Sequence, residues 1–323
     1  MPEIRRARAA ATRFRAFFRE LKQVFFERDT VVEQIALALL SKEHALLTGP
    51  PGTAKSQLSH AVFGRIVCEE SGQPSLYSRQ ITESTVQTDL IGPINFKQLT
   101  ETGRTEHFTD EGILGAAHAF LDEVFDGRDM LLRTALNVLQ ERELKQGTKI
   151  TQGQIEVALM TSNRYIADVL ENSRDTLLAF VDRIAFVSFI PRGFADQINL
   201  ERVLKRHLAG SGGPRLDALL TIQDVDVLQS VVDRVPIAES ICTNLAQLLA
   251  GLETELAEAV RADPQFVPTR YLSTRTAVRA GRVLRAICVR DWIRKEGERE
   301  LQVLPEDFKA LRLHLMLGGP RLD

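Results

Sequence analysis

Residues 44–62, HALLTGPPGTAKSQLSHAV, set two prolines and two glycines between a short apolar run and a segment of helical spacing. Pro50 and Pro51 stiffen the turn, Gly49 and Gly52 free it, and Lys55 and Ser56 follow at once. A backbone built this way wraps around an anion. In the pattern G-x-x-x-x-G-K-[ST], main-chain N–H groups cradle nucleotide phosphates, the lysine reaches the terminal ones and the hydroxyl holds Mg2+. The positive end of the following helix adds to the attraction. The expected nucleotide-binding loop is therefore Gly49, Pro50, Pro51, Gly52, Thr53, Ala54, Lys55, Ser56 and Gln57, with Ala54 where the pattern has its second glycine. Alanine fits there if the residue opens the helix with φ below zero. The competing reading of this stretch alone is a chance turn before a helix.

Working outward, short apolar runs at 45–48, 76–81, 119–122, 155–161 and 184–190 alternate with longer stretches of 3.6-residue period, such as 54–68 and 129–141. That alternation argues for a parallel sheet with helices on both faces. PRGFADQ at 191–197 breaks it, and the remainder reads as helices over 194–208, 223–234, 237–261, 271–294 and 305–316. The expected organisation is an α/β nucleotide-binding core over 1–193, with a five-stranded parallel sheet, followed by an all-α domain over 194–323. Two stretches exceed a minimal α/β unit. Residues 85–112 read as two short β-like pieces split by TETGRT, and residues 142–154 as a hairpin turning at Gly147. Loops of this length in a compact domain are more often functional than not.

The totals exclude several classes. Forty-one Lys plus Arg nearly balance 43 Asp plus Glu among 323 residues, so no global field recruits nucleic acid or an anionic membrane. Cys68, Cys242 and Cys288 are widely spaced and form no C-x-x-C, which reads as reduced thiols in a reducing compartment, here the cytoplasm. No apolar stretch approaches the roughly 18 residues of a membrane span. The N-terminal IRRARAAATRFRAFFRE carries Arg5, Arg6, Arg8, Arg13, Arg15 and Arg19. It has a transit-peptide flavour, yet Phe14, Phe17, Phe18 and Leu21 fall at helical spacing, which predicts a packed helix with a basic outer face.

Further residues fit phosphate chemistry. The apolar run AAHAFL ends in Asp122 and Glu123, and carboxylates closing a buried strand need cations or donors. Beside a phosphate loop, Asp122 is placed to hold Mg2+ with Ser56, and Glu123 to polarise the attacking water. Asn163 closes the next strand, where its amide can orient that water; Asn is also a simple turn former. Arg183, before the last strand, either pairs with Asp182 or projects into a neighbouring subunit's nucleotide; Arg174 is a weaker candidate for that second role. Arg275 opens a long helix of the second domain, from which it can reach back to the phosphates.

Together these residues resemble an AAA+ ATPase of the MoxR family, in its RavA-like branch. KEHALLTGPPGTAKS, TDLIGPINFKQL, AFLDEVF, LLRTALNVLQERE, ALMTSN, FVDRIAF, LSTRTAVRA and VLPEDF follow one another in that family's order over about residues 22–317. The resemblance implies an AAA+ αβα core with an all-α lid, and a Mg2+-dependent ATPase that remodels or activates a partner protein. By position it assigns Lys55 and Ser56 to the phosphate loop, Asp122 and Glu123 to the Walker B pair and Asn163 to sensor 1. Arg183 becomes the arginine finger and Arg275 sensor 2. It also implies a homo-oligomeric ring, a hexamer, with the 85–112 insert and the 142–154 hairpin facing its pore, and a partner carrying a von Willebrand factor A domain. RavA-type proteins carry a further partner-binding domain after the lid, whereas this sequence ends at Asp323. Three alternatives stay open: a DNA-translocating motor, a nucleotide-gated binding module with little turnover, and a small-molecule kinase. The net charge of −2 and a hairpin offering only Arg142, Lys145 and Lys149 weigh against the first, Glu123 against the second, and the large helical lid against the third.

Overall fold

The structure is a computed structural model and describes residues 2–146, 149–164, 166, 169, 180, 182–208, 216–263 and 273–314. Its centre is a parallel sheet of β1 (Ala45–Thr48), β2 (Leu76–Gln80), β3 (His118–Asp122), β4 (Val157–Ser162) and β5 (Phe186–Phe189). The strand order is β2-β3-β4-β1-β5, so the chain leaves β1 for the far edge, fills back toward it, and ends on its other side. Register is set by Ala45 opposite both Leu159 and Phe186, and Thr48 opposite Ser162 and Phe189. β1 and β4 are buried along their whole length, which is why they read as continuous apolar runs rather than alternating ones.

Helices cover both faces. On one lie α1 (Pro2–Val24) and α2 (Asp29–Ser41); on the other lies α6 (Asp129–Glu141). As predicted, α1 buries Phe14, Phe17, Phe18 and Leu21 and leaves Arg5, Arg6, Arg8, Arg13 and Arg19 exposed. In α6 the apolar positions Leu131, Leu132, Ala135, Leu136, Val138 and Leu139 recur at helical spacing and are all buried. Between β1 and α6 the chain forms α3 (Lys55–Phe63), α4 (Gln87–Ile91) and α5 (Phe96–Thr102). α3 is shorter than the expected 54–68, because the chain leaves the helix at Gly64 and Ile66–Val67 become a strand.

The 85–112 stretch differs from expectation. The piece before TETGRT forms α4 and α5 instead of a strand, and the piece after it keeps extended character only in an isolated bridge from His107 to Ile94. Asn95 caps α5 by accepting from the Gln98 N–H at 3.1 Å, and Gly103 ends it at φ 68°. Caps outweigh the weak β propensity of such short apolar pieces. The second insert is a hairpin as expected, with Glu143–Gln146 antiparallel to Lys149–Gln152; Gly147 lies outside the described residues.

After β5 come α7 (Gln197–Leu208), α8 (Ile222–Arg234), α9 (Glu239–Ala262), α10 (Thr274–Arg294) and α11 (Pro305–His314), an all-α lid. One departure from pure helix is Leu220–Thr221, which pairs in parallel with Ile66–Val67. α8 and α10 pack on α1 and α2, so one apolar cluster runs from Phe17 and Leu21 through Val32 and Leu228 to Ile287. A second cluster, with Leu121, Leu136, Met160 and Phe180, fills the α6 face. Among the described residues no single helix is long and apolar enough to cross a membrane.

Candidate functional site

β3, β4 and β1 are neighbours, so the loops leaving their carboxyl ends lie side by side, where open parallel sheets place their ligands. The loop after β1 needs glycine at Gly49: φ is 151°, and a Cβ there would sit 2.3 Å from the Ile190 carbonyl oxygen. Thr53 closes the turn by donating to the Pro50 carbonyl at 2.9 Å. The expectation for Ala54 is overturned. It adopts φ 63° and ψ 25°, the left-handed region, so the residue in the position of the second glycine keeps the glycine conformation with a methyl attached. Crowding between Cβ and the following carbonyl costs an L-residue about 1–2 kcal/mol there. α3 then starts at Lys55, and its first internal bond runs from Leu58 N–H to the Ala54 carbonyl at 2.9 Å. The N–H groups of Lys55, Ser56 and Gln57 are thus the first-turn donors that a helix leaves unpaired, suited to an anion.

Lys55 is buried, and its ammonium donates to the carbonyls of Gly49 and Pro50 at 2.7 and 2.9 Å and to Asn163 Oδ1 at 2.8 Å. Burial pulls its pKa below the usual lysine value, opposed by the nearby Glu123 and Asp122. Asn163 also holds Glu123, through its backbone N–H on Oε2 at 2.9 Å and its side-chain amide on Oε1. Burial pushes the Glu123 carboxyl above its ordinary range against the Asn163 N–H and Lys55, with Asp122 and Asp126 pushing the same way. A half-buried carboxylate raised in this manner is poised to take a proton from water.

Ser56 Oγ lies 3.0 and 3.1 Å from the two Asp122 carboxylate oxygens. A hydroxyl and a carboxylate side by side are hard oxygen donors, the set that holds Mg2+ together with phosphate oxygens and water. These residues fit that ion; among the described residues no group of three or more His, Cys, Asp or Glu forms a metal cluster of its own. Thr161, missed in the sequence, ties the site together: its hydroxyl donates to Asp122 and accepts from the Glu123 N–H at 3.1 Å. A hydroxyl inside the buried run VALMTS was the available signal.

Arg183 and Arg275 are elsewhere. Arg183 precedes β5, whose first residue Phe186 is opposite Ala45, so it stands at the amino end of the sheet. At about 3.3 Å per residue, β1 alone separates that end from Gly49 by about 13 Å. Arg275 pairs with Asp182 at the same amino end. The expectation that it reaches back to the phosphate loop of its own chain is therefore not met. The lid packs on α1 and α2, and this carries the start of α10 to the wrong end of the sheet for that role. Asp182 is engaged by Arg275, and Arg183 Nε donates to Gln140 Oε1 at 2.6 Å. Arg174 lies outside the described residues.

The two arginines line an open cavity of about 510 Å3 with Lys42, Arg142, Arg279 and Arg282, and among the described residues Glu43 is the one acid in its wall. Burial raises the Glu43 pKa against the pull of Arg279, Arg282 and Arg142. Arg275, Arg279 and Arg282 follow at i, i+4 and i+7 on one helix face, a pattern readable in the sequence but overlooked there.

Two uncharacterized proteins of Methanocaldococcus jannaschii are similar to this chain. One is 29% identical over 236 residues, 73% of this chain and 58% of that protein; the other is 31% identical over 186 residues, 58% and 46%. The chaperone MoxR1 of Mycobacterium tuberculosis is 36% identical over 134 residues, 41% of this chain and 32% of that protein. The chain spans about half the length of the first two relatives. A crystal structure of an inferred ATPase from Cytophaga hutchinsonii shares the fold, with a TM-score of 0.71 at 18% identity over 97% of this chain and 88% of that one. The model of bpMoxR, the MoxR domain in the MoxR-vWA-beta-propeller ternary systems, matches residues 12–234. The chain belongs to this family of MoxR domains.

Proposed function

We propose that the chain is a Mg2+-dependent ATPase whose active sites are completed between copies of itself in a closed ring, a hexamer by resemblance. One observation carries this reading: the phosphate loop, Asp122, Glu123 and Asn163 sit at the carboxyl end of the sheet, while Arg183 and Arg275 line a basic cavity at the amino end. One chain cannot bring both to the same nucleotide, whereas head-to-tail contact can, and such contacts close into a ring where the rotation between copies closes. In this reading Lys55 and the first-turn N–H groups of α3 bind the phosphates. Ser56 and Asp122 hold Mg2+, which neutralises phosphate charge when bound. Glu123 takes a proton from the attacking water that Asn163 orients, and Arg183 and Arg275 of the next copy offset charge in the transition state.

The coupled work is remodelling of another protein. The family description names von Willebrand factor A and β-propeller partners, which supports a partner of the first kind. Exposed Phe96 on α5 and Ile150 in the hairpin suit contact with a client chain in the pore. The RavA-like placement rests on motif order alone.

Mixed assemblies test the trans site. Arg183→Ala and Lys55→Ala are each expected to lower ATP hydrolysis by roughly tenfold or more. Mixed, they regain activity at interfaces that pair an intact Lys55 from the first variant with an intact Arg183 from the second. No recovery in mixed assemblies that demonstrably form sinks the trans reading.

A further inference from the structure

Among the described residues, Asp182 is the best-connected carboxylate at the amino end of the sheet. Its side chain is 5% exposed and pairs with Arg275, which is 42% exposed. The second carboxylate oxygen accepts from Ser273 Oγ at 2.6 Å, and Ser273 in turn caps α10 by accepting from the Thr276 N–H at 3.2 Å. The Asp182 backbone carbonyl accepts from Arg279 at 2.8 Å. Bonds from Ser273, Arg275, Thr276 and Arg279 at the start of the lid helix thus converge on the residue next to Arg183, while Arg183 itself is held from α6 by Gln140.

We infer that Asp182 is a positioning residue: it fixes Arg275, and with it the amino end of α10, beside Arg183, so that both cations meet the nucleotide of the neighbouring copy together. A guanidinium has five N–H donors in a planar fork, so Arg275 can stay bound to Asp182 through one nitrogen and offer the others to a phosphate. The buried carboxylate sets the direction of that fork. Without it a long, half-exposed side chain samples many rotamers, and misplacement of about 1 Å at a reacting centre costs large factors in rate. The cost falls on turnover more than on ground-state binding, because the phosphate loop that binds ATP belongs to the other copy.

This inference rests on the trans reading above, and a double-mutant cycle separates the two. Steady-state ATP hydrolysis by the full-length assembly is measured for Asp182→Asn, Arg275→Gln and the double variant. Asp182→Asn is expected to lower kcat about tenfold with KM for ATP within about threefold of the parent, and Asp182→Glu to restore part of the loss. The double variant is expected to be no slower than Arg275→Gln alone, since Asp182 acts through Arg275. An unchanged kcat in Asp182→Asn, or losses that multiply in the double variant, overturns the positioning role while leaving the trans reading intact. An unchanged kcat in Arg275→Gln removes Arg275 from the reaction, and the role of Asp182 with it. Should Asp182→Asn fail to assemble, Ser273→Ala keeps the ion pair but loosens its carboxylate; it is expected to lower kcat about twofold, and no fall overturns the proposal.

Discussion

Ala54 is where a residue-level rule and the folded chain disagree. The loop demands a left-handed residue immediately before α3, and this protein meets the demand with alanine. The surrounding bonds hold it there: Thr53 to Pro50, Lys55 to Gly49 and Pro50, and Leu58 to Ala54 itself. Ala54→Gly relieves the Cβ crowding but adds freedom to the unfolded chain, so the two effects partly cancel. The expected outcome is a stability gain of about 0–1 kcal/mol in urea unfolding, with ATP binding retained. Ala54→Val adds a β-branched side chain to the same angles and is expected to lose about 2 kcal/mol or more. A loss in Ala54→Gly larger than that in Ala54→Val contradicts the left-handed assignment. Strain of this sort stands beside the candidate site, where local rules are most often broken.

Among the elements, α1 carries the plainest energetic statement. Its arginine-rich sequence has the look of a segment to be removed, but its apolar face is built into the main cluster against α8, α10 and α2. Phe17 is fully buried, and the Arg65 guanidinium lies 4.2 Å from its ring centroid, bound also to Glu20 at 3.2 Å and the Ala218 carbonyl at 2.9 Å. Phe17→Ala is expected to destabilise the protein by about 3–5 kcal/mol, measured by chemical unfolding, because a cavity and an unstacked cation remain. A change within about 0.5 kcal/mol means that α1 is dispensable to the fold. Periodicity made α1 legible, as it did α6, because each has one apolar face at 3.6-residue spacing. The same signal misread 85–112, where the pieces are too short for a period to show and caps decide the outcome.

For the whole molecule, acid sensitivity follows from three histidines in separate places. Burial lowers His44, His118 and His314 from 6.5 to about 4. His44 Nε2 donates to the Leu139 carbonyl at 3.0 Å and its Nδ1 accepts from the Ala158 N–H at 3.1 Å, whereas among the described residues neither nitrogen of His118 has a hydrogen-bond partner. The folded state thus keeps these rings neutral, while the unfolded chain takes up protons below pH 6.5. Stability is full above that value and falls as the pH drops toward 4, by up to about 3 kcal/mol per histidine. His118→Phe is expected to reduce the slope of unfolding free energy with pH in that window; an unchanged slope means His118 is charged in the folded state. Taken alone, the sequence determined the Gly-Pro loop that opens α3, the two acids closing β3, the five strands and most of the helices. Each of these is written in neighbouring residues: a Gly-Pro turn before a lysine, a carboxylate closing an apolar run, a period of 3.6. What only the tertiary structure decided is where the lid lies, and so at which end of the sheet Arg275 stands. That depends on α8 and α10 packing against α1 and α2, contacts between residues some 200 positions apart that no local pattern records. The result puts the two candidate arginines at one end of the sheet and the candidate phosphate loop at the other, because side chains follow the packing of their helix and not the order of their motifs.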